Sequence, residues 1–413
     1  MNPPNSASNP GAPDRLAAWG WNEEWAAKAL EIGATLKPPA FPPAGPGTQT
    51  PASPDPEDPA LRPGRVVRQV HHHYHVVTAW QDTPLPAEVS GAFSYRAAGP
   101  ADYPTAGDWV LIGAGGRIEK VVPRKSAISR HASGEETLEQ VIAANIDVIF
   151  LVFGLDGGRN FTVGLLERSL VAAWSSGARP VVVLNKADCA EEDAREQAQL
   201  EAEANAPGVP VHIVSAATGE GLEGLLAEAT PGETVGLLGK SGVGKSALIN
   251  AFWAVSGRSE RQPPEGADAG PAADKGLART GEQRKGDLQG RHTTTDKALY
   301  QLPSGIIMAD VPGLRELQLW GDTSELASAF PEIEALAAEC RFSDCAHSGE
   351  PGCRVQEALA SGELPAERYE RYLEYQRELA YLERRRDQRA GQEEERRWKQ
   401  IAKIRRQMKG KKG

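Results

Sequence analysis

The stretch Gly239-Lys240-Ser241-Gly242-Val243-Gly244-Lys245-Ser246 constrains this chain more than any other. Glycine, four free positions and then Gly-Lys-Ser form the pattern of a phosphate-binding loop. Upstream, Thr234 to Leu238 reads as a short buried strand; downstream, Ala247 to Trp253 reads as a helix. That strand–loop–helix context gives the match its meaning. Glycines let the backbone curl so that its N–H groups face a phosphate chain, and the helix start adds a partial positive charge. On this reading Gly239 to Ala247 hold the nucleotide. Lys245 reaches the β and γ phosphates, and the Ser246 hydroxyl binds Mg²⁺. The bland alternative is a glycine-rich turn that binds nothing.

From Ala127 onward the pattern alternates. Val148–Phe153, Pro180–Leu184 and Val209–Val214 read as strands, and Thr162–Ser175, Ala190–Ala204 and Leu222–Ala229 as helices. Such alternation predicts a parallel sheet covered on both faces. Asn185-Lys186-Ala187-Asp188 follows one of these strands. A carboxylate there accepts from guanine N1–H and N2–H₂, a donor pair adenine lacks, so Asp188 selects GTP over ATP. Asn185 holds loop and base, and the Lys186 stem covers the base face. Ser215-Ala216-Ala217, after the next strand, closes the pocket with backbone donors. The competing reading makes Asp188 a helix cap.

Beyond the phosphate loop, Gly290-Arg291-His292-Thr293-Thr294-Thr295 precedes a strand at Ala298–Leu302. Thr294, with Thr293 and Thr295 close behind, is the candidate second hydroxyl on Mg²⁺. Ile306–Ala309 reads as a strand delivering Asp310-Val311-Pro312-Gly313: Asp310 for the magnesium shell, the Gly313 N–H for the γ phosphate. Leu314 stands where Ras-like enzymes carry a water-positioning glutamine, and leucine cannot orient water. The guanine motifs precede the phosphate motifs, so the chain looks like a circularly permuted GTPase. The loop that senses the γ phosphate then leads directly into the C-terminal segment.

That segment holds Cys340-R-F-S-D-Cys345-A-His347-S-G-E-P-G-Cys353. Three cysteines and a histidine make a closed set for structural, tetrahedral Zn²⁺. Free buried thiols are the alternative, and Cys189 reads as incidental. Pro365 opens a helix with Tyr369, Tyr372, Leu373, Gln376 and Leu379 on one face. A tail, Arg384–Gly413, carries 13 Lys/Arg against 4 Asp/Glu on a chain whose net charge is −10. An acidic body with a basic tail implies a polyanionic partner for the tail.

Ahead of the alternating region, Arg65–Val70, Tyr74–Ala79, Glu88–Phe93, Asp108–Ile112 and Arg117–Val122 read as five short strands. They predict a small β-barrel of the oligonucleotide-binding (OB) type, with His71-His72-His73-Tyr74-His75 at its first hairpin as a solvated turn or a weak RNA-facing patch rather than a metal site. Asp14–Ile32 reads as a short helix with Leu16, Trp19, Trp21, Trp25 and Leu30 as apolar positions, docked loosely or firmly. Pro38–Pro63 reads as a linker, and Ser256–Lys275 as a disordered insertion. The expected domains are an extension (1–60), the barrel (61–124), a permuted GTPase (125–335) and a zinc-binding, helical module (336–413). No apolar run spans a bilayer and the start has no secretory signal, so the expected location is the cytoplasm, without membrane contact.

With Ala106-Gly107-Asp108-Trp109-Val110 in the barrel, the permuted loops, G-R-H-T-T-T and the C-R-F-S-D-C-A-H-S-G-E-P-G-C run, the chain resembles the bacterial small-subunit-dependent GTPases of RsgA type. The resemblance covers about residues 61 to 385. It implies GTP hydrolysis to GDP stimulated by the 30S subunit during late maturation, one Zn²⁺, Mg²⁺ with GTP, contacts with 16S rRNA, and a monomer. It makes His292 the candidate for orienting water, against a hydrogen-bonded structural histidine. Two other readings stand beside it: a GTP-sensing rRNA checkpoint with slow timer hydrolysis, and a permuted GTPase of the large subunit.

Overall fold

The computed structural model describes residues 12–34, 60–132, 135–157, 160–257, 296–311, 326–381 and 383–384. His292, Thr293, Thr294, Thr295, Gly313, Leu314, the insertion from 258 on and the tail from 385 on lie outside the described residues. The chain divides into two units, one of residues 1–130 and 140–317 and one of 131–139 and 318–413.

The first unit is organised by β8 (Val148–Gly154), β9 (Arg179–Asn185), β10 (Val211–Ile213), β11 (Thr234–Leu238) and β13 (Ile307–Asp310), all parallel in the order β10-β9-β8-β11-β13. Their sequences are apolar at almost every position because both faces are covered. Ile149, Leu151 and Phe153 of β8 face one core with Leu166 and Leu170 of α4 (Val163–Ser175) and Ala198 and Ala202 of α5 (Glu192–Asn205). Val148, Phe150 and Val152 face the other, with α6 (Leu222–Leu226) and Leu248, Ile249 and Phe252 of α7 (Lys245–Ser256). β12 (Asp296–Gln301) runs antiparallel beside β13.

The barrel precedes this sheet. β1 (Arg62–Val70) pairs with β2 (His73–Thr78) along one edge, β2 with β3 (Leu85–Ala87), and β4 (Trp109–Ile112) with β5 (Ile118–Val121). A parallel bridge between Val89 and Ile118 joins the two ends. Val66, Tyr74, Val76, Val110, Ile112 and Ile118 fill the interior. On its other edge β1 changes partner. Arg62 to Arg65 pair with β4 and Arg68 to Val70 with β12, while the ladder with β2 shifts register between Val66 and Arg68. Barrel and parallel sheet are therefore one continuous hydrogen-bonded sheet. The A-G-D-W-V run makes the corner beside that junction. Gly107 has φ +96 and lies so near Ala144 that a Cβ would sit 1.9 Å from its carbonyl oxygen. The buried Asp108 accepts from Thr105 N and, through both carboxylate oxygens, from Arg124.

Four expectations are corrected. Glu88–Phe93 is not a strand. The strand ends at Ala87, and Ser90 accepts from Phe93 N to start α3 (Gly91–Arg96). Asp14–Ile32 is two helices, α1 (Ala12–Ala18) and α2 (Glu23–Glu31), broken at Gly20 with φ +88 and restarted by an Asn22 cap. Pro63 belongs to β1 rather than to the linker. A two-stranded ribbon, β6 (Ala127–Ala132) and β7 (Glu135–Ala144), stands where no element was expected.

The two N-terminal helices are docked firmly. The Trp21 and Trp25 rings lie 4.7 and 6.1 Å from that of Trp109 in β4. Lys120 Nζ donates to Ile32 O, and Gln301 Nε2 at the end of β12 donates to Ala18 O. Lys125 pairs with Glu24 at 2.6 Å and lies over the Trp25 ring.

In the second unit, α8 (Leu326–Ala329) and α9 (Pro331–Ala338) precede the cysteine-rich loop, and α10 (Arg354–Ser361) and α11 (366–381) come after it. The buried face of α11 carries Tyr369, Tyr372, Tyr375 and Leu379; Tyr375 takes the place expected for Leu373. Arg368 pairs with Glu332 at 2.6 Å and lies over the Phe330 ring.

Candidate functional site

Because β8, β9, β10, β11 and β13 are parallel, the segments after them share one edge of the sheet. Ligands gather at that edge in open α/β sheets. The sheet thereby brings together Asn185–Asp188, Ser215–Ala217, Gly239–Ser246 and Asp310, which are spread over the sequence.

Asn185 joins three of these segments. Its side chain is buried, donates from Nδ2 to Val243 O at 2.8 Å and accepts on Oδ1 from Ala216 N at 3.1 Å. It thus ties the Asn185–Asp188 loop to the Gly239–Ser246 loop on one side and to the loop after β10 on the other. Gly244, with φ +98, lets this happen, since a Cβ there would come within 2.3 Å of Asn185 Nδ2. Gly239, with φ +153, passes equally close to Val152 O. Val243 is buried, while Lys240, Ser241 and Gly242 are more open around it.

Lys245 opens α7 and donates from Nζ to Gly239 O and Lys240 O, each at 2.6 Å, so its ammonium lies across the loop. Ser246 and Ala247 sit in the first turn of α7, where backbone N–H groups have no partner within the helix. Asp310 ends β13, next to β11 and opposite Ala298 of β12. Ser246 and Asp310 offer the hydroxyl and carboxylate oxygens that Mg²⁺ prefers, at the ends of adjacent strands.

The Asp188 carboxylate accepts from Ser215 Oγ at 2.5 Å and from Cys189 Sγ at 3.5 Å, while Ser215 Oγ itself accepts from Ala217 N and Thr218 N. The Ser215 hydroxyl holds Asp188 below the usual carboxylate range, so it is charged at neutral pH. The helix-cap reading fails, since α5 begins at Glu192 behind Glu191.

One member of this cluster has no sequence motif. The loop after β8 grips the Asn185–Asp188 loop from the opposite side. Leu155 N donates to Asn185 O at 2.9 Å, and Asp156 Oδ2 accepts from Lys186 Nζ at 2.5 Å. Asn160 Nδ2 steadies Asp156 through Oδ1 at 2.9 Å. First Lys186 and then Asn160 hold the Asp156 carboxyl below its ordinary range.

In the second unit, one donor atom from each of Cys340, Cys345, His347 and Cys353 lies within 4.8 Å of the others. Cys340 Sγ is 3.9 Å from Cys353 Sγ, and His347 Nδ1 is 3.6 and 3.4 Å from those two sulfurs. Ligands about 2.0–2.3 Å from one tetrahedral ion stand about 3.5–3.8 Å apart, so the set could hold a metal ion. Glu350 shapes the loop by accepting from Ala346 N and from the N–H and hydroxyl of Ser348.

The RsgA GTPase family model matches residues 121–320. The chain is 42% identical over 353 residues to the small ribosomal subunit biogenesis GTPase RsgA of Opitutus terrae, covering 82% of this chain and 89% of that protein. It is 39% identical over 325 residues to RsgA 1 of Oceanobacillus iheyensis, covering 77% and 85%. Among solved structures it resembles YjeQ from Thermotoga maritima, with 27% identity and a TM-score of 0.54 over 78% of this chain and 99% of that one. It shares the fold of YloQ, described as a circularly permuted GTPase, with 22% identity and a TM-score of 0.53 over 78% of this chain. The family-model match, and relatives that match most of their own length, place the chain in the RsgA family of circularly permuted GTPases.

Proposed function

We propose that this chain hydrolyses GTP to GDP and phosphate in the biogenesis of the small ribosomal subunit, binding the 30S particle through 16S rRNA. The observation that carries this is the 42% identity, over 82% of the chain, to a protein named for that process.

In this reading Asp188 reads guanine, and Asn185 locks the base and phosphate loops into one pocket. Gly239 to Ala247 wrap the phosphates, with Lys245 on the β and γ groups. Ser246 and Asp310, joined by Thr294, would hold Mg²⁺, which when bound neutralises charge developing on the phosphate oxygens. His292 orients the attacking water, and Gly313 senses the γ phosphate. The Cys₃His set holds structural Zn²⁺. Barrel, zinc module and basic tail are the parts that meet rRNA, and such contacts weaken steeply with salt.

Turnover alone is expected to be slow and to rise many-fold with 30S but not 50S particles; an equal response to both would refute the small-subunit reading. Asp188→Ala should lose the preference for GTP over ATP, because the paired acceptor for guanine is gone. His292→Ala should retain GTP binding and lose the 30S-stimulated rise, and unchanged turnover would remove His292 from the mechanism.

A further inference from the structure

Asp156 lies outside every phosphate- and guanine-binding motif, yet its side chain reaches the residue expected to cover the base. A lysine stem has many rotamers, and something must aim it. In this chain the backbone of Lys186 is left-handed, with φ +68, and its ammonium ends on Asp156 Oδ2. The carboxylate does not swing freely, because Asn160 Nδ2 holds its other oxygen at 2.9 Å. Its loop does not slide, because Leu155 N is bonded to Asn185 O and Gly154 pairs with Asn185 across the strands. Gly154 also leaves room for the carboxylate: a Cβ there would stand 3.0 Å from Asp156 Oδ1. The guanine loop is thus held on two flanks, by Ser215–Ala217 on one and by Leu155–Asp156 on the other.

We propose that Asp156 is a nucleotide-positioning residue, whose carboxylate fixes the Lys186 ammonium so that the lysine stem lies over the guanine ring. The inference rests on reading Asn185–Asp188 as the guanine loop. It gives the β8 loop a role in affinity for guanine nucleotides. Because base and ribose are common to GDP and GTP, Asp156 acts on both nucleotides by the same factor.

The test is a double-mutant cycle on the full chain, read with fluorescent GDP and a non-hydrolysable GTP analogue. Asp156→Ala should weaken both by about two- to fivefold, the range set by a partly exposed ion pair. Lys186→Met should do the same, and the double variant should be no weaker than the worse single one. In turnover the loss should fall on KM more than on kcat. Asp156→Asn, which keeps one acceptor oxygen, should recover part of the affinity. The melting temperature without nucleotide should not move, whereas a merely structural role would lower it. Additive losses, unequal effects on GDP and GTP, or unchanged affinity in Asp156→Ala would each overturn the proposal. Asp188→Ala serves as the control. If it abolishes guanine preference while Asp156→Ala does nothing, the Asp156 role alone fails. If neither variant affects binding, the guanine reading falls with it.

Discussion

Arg65 is a fully buried guanidinium that reaches four segments. It donates to Trp19 O in the N-terminal segment, to Asn145 O after β7 and to Thr234 Oγ1 at the start of β11, and it lies 5.3 Å over the Trp109 ring. Burial lowers its pKa to about 10, so it stays charged at neutral pH. Arg65→Ala leaves those acceptors unpaired and opens a void, at an expected cost of about 3 kcal/mol in urea unfolding. Lys297 in β12 is a half-buried cation, bonded to Thr105 Oγ1 and Val141 O. Burial brings its pKa from 10.5 down to about 8. Between these two values the unfolded chain binds more protons than the folded one. Stability from this group therefore rises with pH across that window, and below about pH 8 the full cost of burying the ammonium applies. Lys297→Met should flatten the stability profile between about pH 8 and 10, measured by thermal unfolding. Neither cation was legible in the sequence. A phosphate loop writes its chemistry in eight consecutive residues, whereas Arg65 and Thr234, or Asp156 and Lys186, acquire their roles only when distant segments meet.

At the scale of elements, the cysteine-rich loop shows what spacing can and cannot say. The four donors were readable because the ligand types are few and lie close together. The frame that aims them was not. Glu350 sits among loop residues as an ordinary acid, yet its carboxylate gathers the 346–350 turn. Its own backbone N–H and that of Ser348 lower its pKa to about 2. Stability from this carboxylate is complete above about pH 4.5 and is lost as pH falls towards 2, so Glu350→Gln should weaken the loop at neutral pH and not at pH 2. Cys353 is the N-cap of α10, so if the four donors hold an ion, its removal should fray that helix. A strong chelator is expected to release one Zn²⁺ per chain and to raise hydrogen exchange across 340–361. Unchanged mass and exchange would refute the zinc assignment. The misread segment Glu88–Phe93 has the opposite character. Its alternation resembles a strand, and only the Ser90 bond to Phe93 N decides for a helix.

Across the whole molecule, the parallel sheet was the most legible part, since alternating buried strands and amphipathic helices repeat along the chain. The docking of residues 12–34 was not, because tryptophans at 19, 21 and 25 fit no single period. In the structure Trp21 and Trp25 close over Trp109 where barrel and nucleotide-binding sheet join. Trp25→Ala should cost about 3–5 kcal/mol and raise hydrogen exchange in β1 and β4 before it does so in β8 and β9. Equal exchange in all four strands would mean that the segment does not guard that junction.

The change of partner along β1 has a consequence for synthesis. Arg68 pairs with Ala298, about 230 residues later in the chain. When the barrel strands leave the ribosome they can pair among themselves, but the half of the β1 edge at Arg68 to Val70 has no neighbour until β12 is made. A nascent chain therefore carries an open strand edge through most of its translation, a template for mispairing with other chains. β12, one of the later strands of the sheet to be made, is the one that seals this part of the β1 edge.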